Sequence, residues 1–144
     1  MFYFLWYNRL GELRNEIDRL ENKEFSDDFT IIEGYMPVVL SAPHTMNQMR
    51  DDGTIKASEP YTKALALYLQ KRLNCTCFVK NFDTGIDSNS EKDEEYKNEL
   101  IKYIKRNNIK LVLDLHGASL KREFDVELGT LNNLSADYST IKEL

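Results

Sequence analysis

Apolar residues recur along this chain with two periods, and the two periods divide it into helices and strands. From Leu10 to Glu21 the apolar positions Leu10, Leu13, Ile17 and Leu20 return at helical spacing, with Glu16, Asp18, Arg19 and Glu21 elsewhere. That spacing predicts an amphipathic helix docked on the body of the protein. Residues 1–7 (MFYFLWY) fit either a strand or an apolar lead-in to this helix. Phe29-Thr30-Ile31-Ile32 predicts a short strand, and Glu33-Gly34 a turn. Pro37 to Ala42 is a fully apolar second strand that runs into Pro43-His44. Residues 45–58 are polar and carry the turn signal Asp52-Gly53. A structureless stretch of that length inside a compact domain is more often functional than idle.

Ser58-Glu59-Pro60 then reads as a helix start, with Ser58 or Glu59 as the N-cap and proline in the first turn. The helix is expected to reach Leu73 and to bury Tyr61, Leu65, Tyr68 and Leu69. Cys75 to Lys80 predicts the next strand, with Cys75, Cys77 and Val79 on one face. A second polar loop, Asn81 to Ser90, leads to a helix over 91–107 with Tyr96, Leu100, Tyr103 and Ile104 inward. Lys110 to Leu115 is an apolar run that reads as a strand buried on both faces, and it ends in Asp114-Leu115-His116-Gly117-Ala118. Phe124, Val126 and Leu128 alternate with acids, the mark of a half-exposed strand, and Ser135-Ala136-Asp137 opens a further helix.

Strand, helix, strand, helix, strand in this order predicts an α/β fold, a mostly parallel sheet flanked by helices in three layers. Residues 1–144 are expected to form one domain: a helical lead-in over 1–28, a core over 29–130, and the start of a further helix over 131–144. Ligands bind beyond the carboxyl ends of the strands in such sheets. The only two histidines of the chain, His44 and His116, both fall at that edge, as does the 81–90 loop.

Composition narrows the partners. A net charge of −5 gives no electrostatic case for nucleic acid or an anionic membrane. Residues 1–7 are too short to span a bilayer and lack the basic segment of a signal peptide. Cys75 and Cys77 are poorly placed to bridge each other, so reduced thiols and a cytoplasmic location are expected. An incomplete sheet edge would favour a homo-oligomer.

Two histidines and a carboxylate with one position open make a hydrolytic zinc site. Glu59 is the third ligand of choice, because the loop after His44 returns to it, although a glutamate there also serves as a dipole-stabilising residue. Asp114 either ligates or holds the His116 ring from behind. Cys75-Thr76-Cys77 reads as core, and Asp87-Ser88-Asn89 fits simple turn chemistry.

The run Val38-Val39-Leu40-Ser41-Ala42-Pro43-His44 resembles the first motif of the N-formylglutamate amidohydrolase family. Arg50, Asp52-Gly53, Lys56, Glu59 and Thr62 resemble its next block, Asp87 and Asn89 an Asp-x-Asn element, and Asp114 to Ala118 a "DLHGA" motif. Residues 122–130 (REFDVELGT) resemble the strand that follows, so the likeness spans about residues 36–130. It implies a phosphorylase/hydrolase-like fold related to zinc carboxypeptidases, with Zn2+ on His44, Glu59 and His116. It also implies hydrolysis of a small N-acyl amino acid, releasing formate and glutamate. Arg50, Asp87, Asn89 and Arg122 match the substrate-binding positions. Fourteen residues separate His44 and Glu59, where the wider carboxypeptidase-like group keeps its histidine and glutamate close. Family members continue beyond this length with a general base in the later half, so the chain is expected to be an N-terminal portion without its base. Two further functions stay open: a zinc metallopeptidase acting on glutamyl amides, and a non-catalytic domain that binds a ligand or partner at the same edge.

Overall fold

The computed structural model describes residues 2–89, 94–119, 121–123, 126–130, 132 and 134–136. Its elements, in chain order, are α1 (Phe2–Glu21), β1 (Phe29–Ile32), β2 (Met36–Ala42), β3 (Gln48–Met49), β4 (Ile55–Lys56), α2 (Thr62–Leu73), β5 (Cys75–Lys80), α3 (Glu95–Arg106) and β6 (Leu111–Asp114). Four strands form one sheet in the order β1-β5-β2-β6. β2 runs parallel to both neighbours, and β1 pairs antiparallel with β5. The fold is thus α/β, a mostly parallel sheet with helices on both faces.

The pleat explains the layers. Leu40 and Ala42 of β2, with Cys75, Cys77 and Val79 of β5, face Ala64, Ala66 and Leu67 of α2 and Leu20 of α1. Val39 and Phe78 point the other way, onto Tyr96 of α3. Each fully buried Val, Leu or Phe in these layers stabilises the fold by about 1.5–3 kcal/mol. Both cysteines are free and buried, and burial pushes the Cys77 thiol up to about 12. Such thiols are inert core.

Several expectations change at the margins. α1 begins at Phe2, so residues 2–7 are a helical lead-in rather than a strand. The 45–58 stretch is not structureless: β3 and β4 pair as a small hairpin around Asp52-Gly53, with Gly53 at φ 78°. α2 starts at Thr62, not at Glu59, and its face is rotated from the expected one: Tyr61 and Leu65 are exposed, while Thr62, Ala64, Ala66 and Leu67 are buried. Small alanines let α2 sit close to the sheet, which a pattern built on large apolar residues does not register. Tyr61 takes a left-handed conformation, φ 66°, and offers α2 no side-chain cap. The cap comes from elsewhere in the chain. Glu21, the last residue of α1, accepts the backbone N–H groups of Tyr61 (3.0 Å) and Ala64 (3.1 Å).

β6 is not buried on both faces. Among the described residues it pairs with β2 alone, and its residues alternate between half-buried and exposed. Residues 126–130 form no strand, and Phe124 and Asp125 lie outside the described residues. So does the expected helix beyond Ala136, and so do residues 91–93 ahead of α3. No helix among the described residues is long and apolar enough to cross a membrane.

Sheet order decides where a site can form. From β2 the chain crosses by α2 to β5 on one side, then by α3 back over to β6 on the other. The order reverses between β2 and β6, and the crevice beyond their carboxyl ends is where such sheets take ligands. Register keeps the two strands level: Ser41 stands opposite Asp114, and Leu115 N–H donates to the Ser41 carbonyl at 2.7 Å. His44 and His116 therefore leave the sheet side by side.

Candidate metal centre

Three loops meet at the carboxyl end of β2. The loop after β2 brings His44, the loop after β5 brings Asp87 and Asn89, and the loop after β6 brings His116. Glu59 joins them because the fourteen-residue excursion after His44 closes on itself, its N–H donating to the His44 carbonyl at 2.8 Å. The β3–β4 hairpin takes up the intervening chain. The sequence gap that separates His44 from Glu59 is thus no gap in space.

The Glu59 carboxylate lies between the two rings. Its Oε1 is 3.2 Å from His44 Nδ1, and its Oε2 is 3.1 Å from His116 Nδ1. The ring centroids are 5.1 Å apart and inclined at 58°. Behind each ring stands an aspartate: His44 Nε2 meets Asp87 Oδ1 at 2.8 Å, and His116 Nε2 meets Asp114 Oδ2 at 3.1 Å. A ligating imidazole usually donates its second N–H to a carboxylate, which fixes the tautomer and aims the other nitrogen at the metal. Both rings here are set to present Nδ1 inward.

One ligand atom from each of His44, Glu59 and His116 lies within 4.8 Å of the others, close enough for the three to hold one metal ion. Tetrahedral ligands at zinc distances are about 3.4 Å apart. The observed 3.1 and 3.2 Å nitrogen–oxygen separations fit that spacing. Gly117 makes the approach possible. Its N–H donates to Glu59 Oε2 at 2.9 Å, and a Cβ there would stand 3.0 Å from the Glu59 Cβ.

Charge in the centre is balanced by cations. Burial raises the Glu59 carboxyl, but hydrogen bonds from His116, His44, Lys56 and the Gly117 amide outweigh it and hold the group well below the usual carboxylate range. Lys56 Nζ is the shortest of these partners, 2.6 Å from Oε1. Burial likewise raises Asp87, and His44, Arg50 and the Asn89 amide pull it below its ordinary value. Hydrogen bonds to Asp114 first and Glu59 second raise the His116 pKa from 6.5 to about 10, against the effect of partial burial.

The other expected substrate residues fall in three places. Arg50 Nε donates to Asp87 Oδ2 at 2.9 Å, and the Arg50 side chain is 41% exposed at the rim. Asn89 Nδ2 lies 3.5 Å from His116 Nε2, at the limit of a hydrogen bond. Arg122 stands on the segment beyond β6 and pairs with Glu127 at 3.3 Å. Asp87, expected to bind substrate, here holds the His44 ring.

Supports the sequence pattern did not single out as site residues surround this group. Lys56 and the Gly117 amide both serve Glu59. Lys80 and Glu94 form a fully buried ion pair at 2.7 Å, and Glu94 also accepts the Lys97 N–H as the α3 N-cap. This pair ties the end of β5 to the start of α3, beneath the loop that carries Asp87. A lysine at the end of an apolar strand was the visible signal, since a buried ammonium needs a partner. Comparison of the chain with family models, with curated proteins and with solved structures finds no match in any of the three.

Proposed function

We propose that this protein is a zinc-dependent amidohydrolase that cleaves the amide bond of an N-acyl amino acid. N-formyl-L-glutamate, giving formate and glutamate, is the substrate to which the sequence resemblance points. The observation that carries the reading is the symmetric chain Asp87–His44–Glu59–His116–Asp114, two imidazoles facing one carboxylate with an aspartate behind each. Two histidines and a carboxylate are the donor set of hydrolytic zinc sites, in contrast to the all-protein cages of structural ones.

His44, Glu59 and His116 would hold the metal. Bound zinc would polarise the scissile carbonyl and bring the pKa of a water to about 7. With the metal bound, Asp87 and Asp114 would accept the Nε2 protons of the two rings, and each Nδ1 would give up the proton it shares with Glu59 in order to ligate. Arg50 spends its Nε on Asp87 and leaves the outer side of its guanidinium toward solvent, suited to a substrate carboxylate. Asn89, beside His116, would orient the amide. We assign the general base to no residue of this chain.

The test is metal content and turnover on the 144-residue chain purified without chelator. Roughly one zinc per chain is expected, and under about 0.3 would remove the metal centre from consideration. Added zinc should raise the melting temperature of the wild type but not of His116→Ala. Formate release from N-formyl-L-glutamate, abolished in His44→Ala, would support hydrolysis. Zinc bound without formate release, or with cleavage of glutamyl amides instead, would replace this reading with a binding domain or a metallopeptidase respectively.

A further inference from the structure

Gln48 is fully buried, although glutamine is a residue type mostly found at protein surfaces. It opens β3, and its side-chain amide joins the loop after β2 to the loop after β5. Nε2 donates to the Pro43 carbonyl, one residue before His44. Oε1 accepts the Ser88 N–H at 2.8 Å, one residue after Asp87. The orientation of this amide is unambiguous, because a proline carbonyl only accepts and a backbone N–H only donates. The hairpin fixes Gln48 from a third side: it stands opposite Lys56 in the β3–β4 pairing, and Lys56 holds Glu59.

We propose that Gln48 is the positioning residue that keeps the His44 imidazole and the Asp87 carboxylate in register and thereby sets the metal affinity of the centre. The proposal rests on the metal-centre reading given above. His44 and Asp87 come from loops after different strands, and their 2.8 Å contact survives only if those loops hold a fixed separation. Arg50 also touches Asp87, but from a half-exposed side chain that water can displace. Gln48 touches the backbone next to both partners, in a place water does not reach. Losing either of its hydrogen bonds strands a buried donor or acceptor, so the two loops remain locked together while it is intact.

The experiment is a zinc-binding double-mutant cycle on the full chain with Gln48→Met, Asp87→Asn and the pair. Asp87→Asn should weaken zinc binding by roughly 10- to 100-fold, the usual effect of losing a carboxylate behind a ligating histidine. Gln48→Met should cost about 10-fold alone. In the Asp87→Asn background it should cost less than about twofold, since no ring–carboxylate contact remains to be aligned. A low-field proton signal from His44 Nε2–H, present in the wild type and lost in both single variants, is a readout that a purely structural role would leave in place. Should Gln48→Met not fold, Gln48→Asn keeps the amide but is one methylene too short to reach both Pro43 and Ser88, and it should give the same non-additivity. Additive losses, or a retained Nε2–H signal with unchanged affinity, overturn the proposal. A wild type that binds no zinc overturns the metal centre and this inference together, whereas zinc binding with an additive cycle overturns this inference alone.

Discussion

His44 follows an interior strand and is 3% exposed, and its supporting Asp87 is 2% exposed. His116 follows a strand that, among the described residues, pairs on one side alone, and is 34% exposed, and its supporting Asp114 is 42% exposed. The bonding pattern of the two rings is the same, yet their surroundings are opposite. Asp87 is held by His44, Arg50 and the Asn89 N–H together, so its position is decided by the protein. Asp114 shares its charge with water. A charge pair out of water is strongly coupled and costly to break, whereas an exposed pair contributes about 0–1 kcal/mol. The centre therefore has a preformed half and an adjustable half, and Glu59 joins them.

The sharpest way to break this contrast is to remove the buried carboxylate. Asp87→Ala leaves His44 and Arg50 facing an empty site and should destabilise the metal-free protein by about 3–5 kcal/mol, read by urea unfolding. A loss below about 1 kcal/mol would place Asp87 in the same class as an exposed pair and dissolve the distinction.

A smaller effect is expected one layer down. The Tyr96 hydroxyl from α3 joins Ser41 Oγ at 2.9 Å and the Phe78 carbonyl at 3.1 Å, and accepts the Ala42 N–H at 3.1 Å. Tyr96→Phe removes these partners beneath His44 and should cost about 1–3 kcal/mol. The same unfolding measurement checks it, and zinc affinity should fall with stability if the floor of β2 positions the ring.

The adjustable half should show itself through pH. His116 has a folded pKa raised from 6.5 to about 10, so its contribution is fully present below pH 6.5 and is lost as pH rises toward 10. Glu59 and Asp87 are shifted downward, so theirs is present above their ordinary values of 4.5 and 3.8 and is lost as pH falls. The metal-free protein should be most stable between pH 4.5 and 6.5 and should decline on both sides. His116→Ala should remove the alkaline decline, as followed by melting temperature across pH in chelator. An alkaline decline that persists in the variant would assign it to another group. The smallest effect belongs to Asp114→Ala, where about 1 kcal/mol or less is expected and salt should erase most of it.

Sequence pattern made the sheet strands legible because each is short, apolar and bounded by turn residues. Cys75, Cys77 and Val79 pack on one face as their alternation requires. Both histidines reach one edge because the order of elements demands it. Helix faces were harder. α2 is packed by alanines and by the trans cap from Glu21, so the large residues Tyr61 and Leu65 mark its outer side. The burial of β6, which among the described residues is the last strand of the sheet, was overread because an apolar run looks alike at the centre and at the edge of a sheet. The linkage of Asp87 to His44 spans 43 residues and depends on loop conformation, which no local period encodes. Gln48 was hidden for the same reason, since a hairpin of two-residue strands leaves almost no alternation to read, and Lys56 stood out only as part of a motif, without its bond to Glu59.

The cap that Glu21 places on α2 bears on how this chain can be shortened. α1 looks detachable, a leading helix whose Leu10 and Leu13 are exposed and whose sequence carries no chemistry. Its final residue nonetheless holds Tyr61 in a left-handed conformation, two positions after the glutamate at the heart of the centre. A trimmed version starting at the first strand would discard that anchor, and the damage would surface far from the cut, as a loosened carboxylate. A boundary on the amino-terminal side of Glu21 would spare it, which makes the last turn of α1 a distant part of the site it precedes.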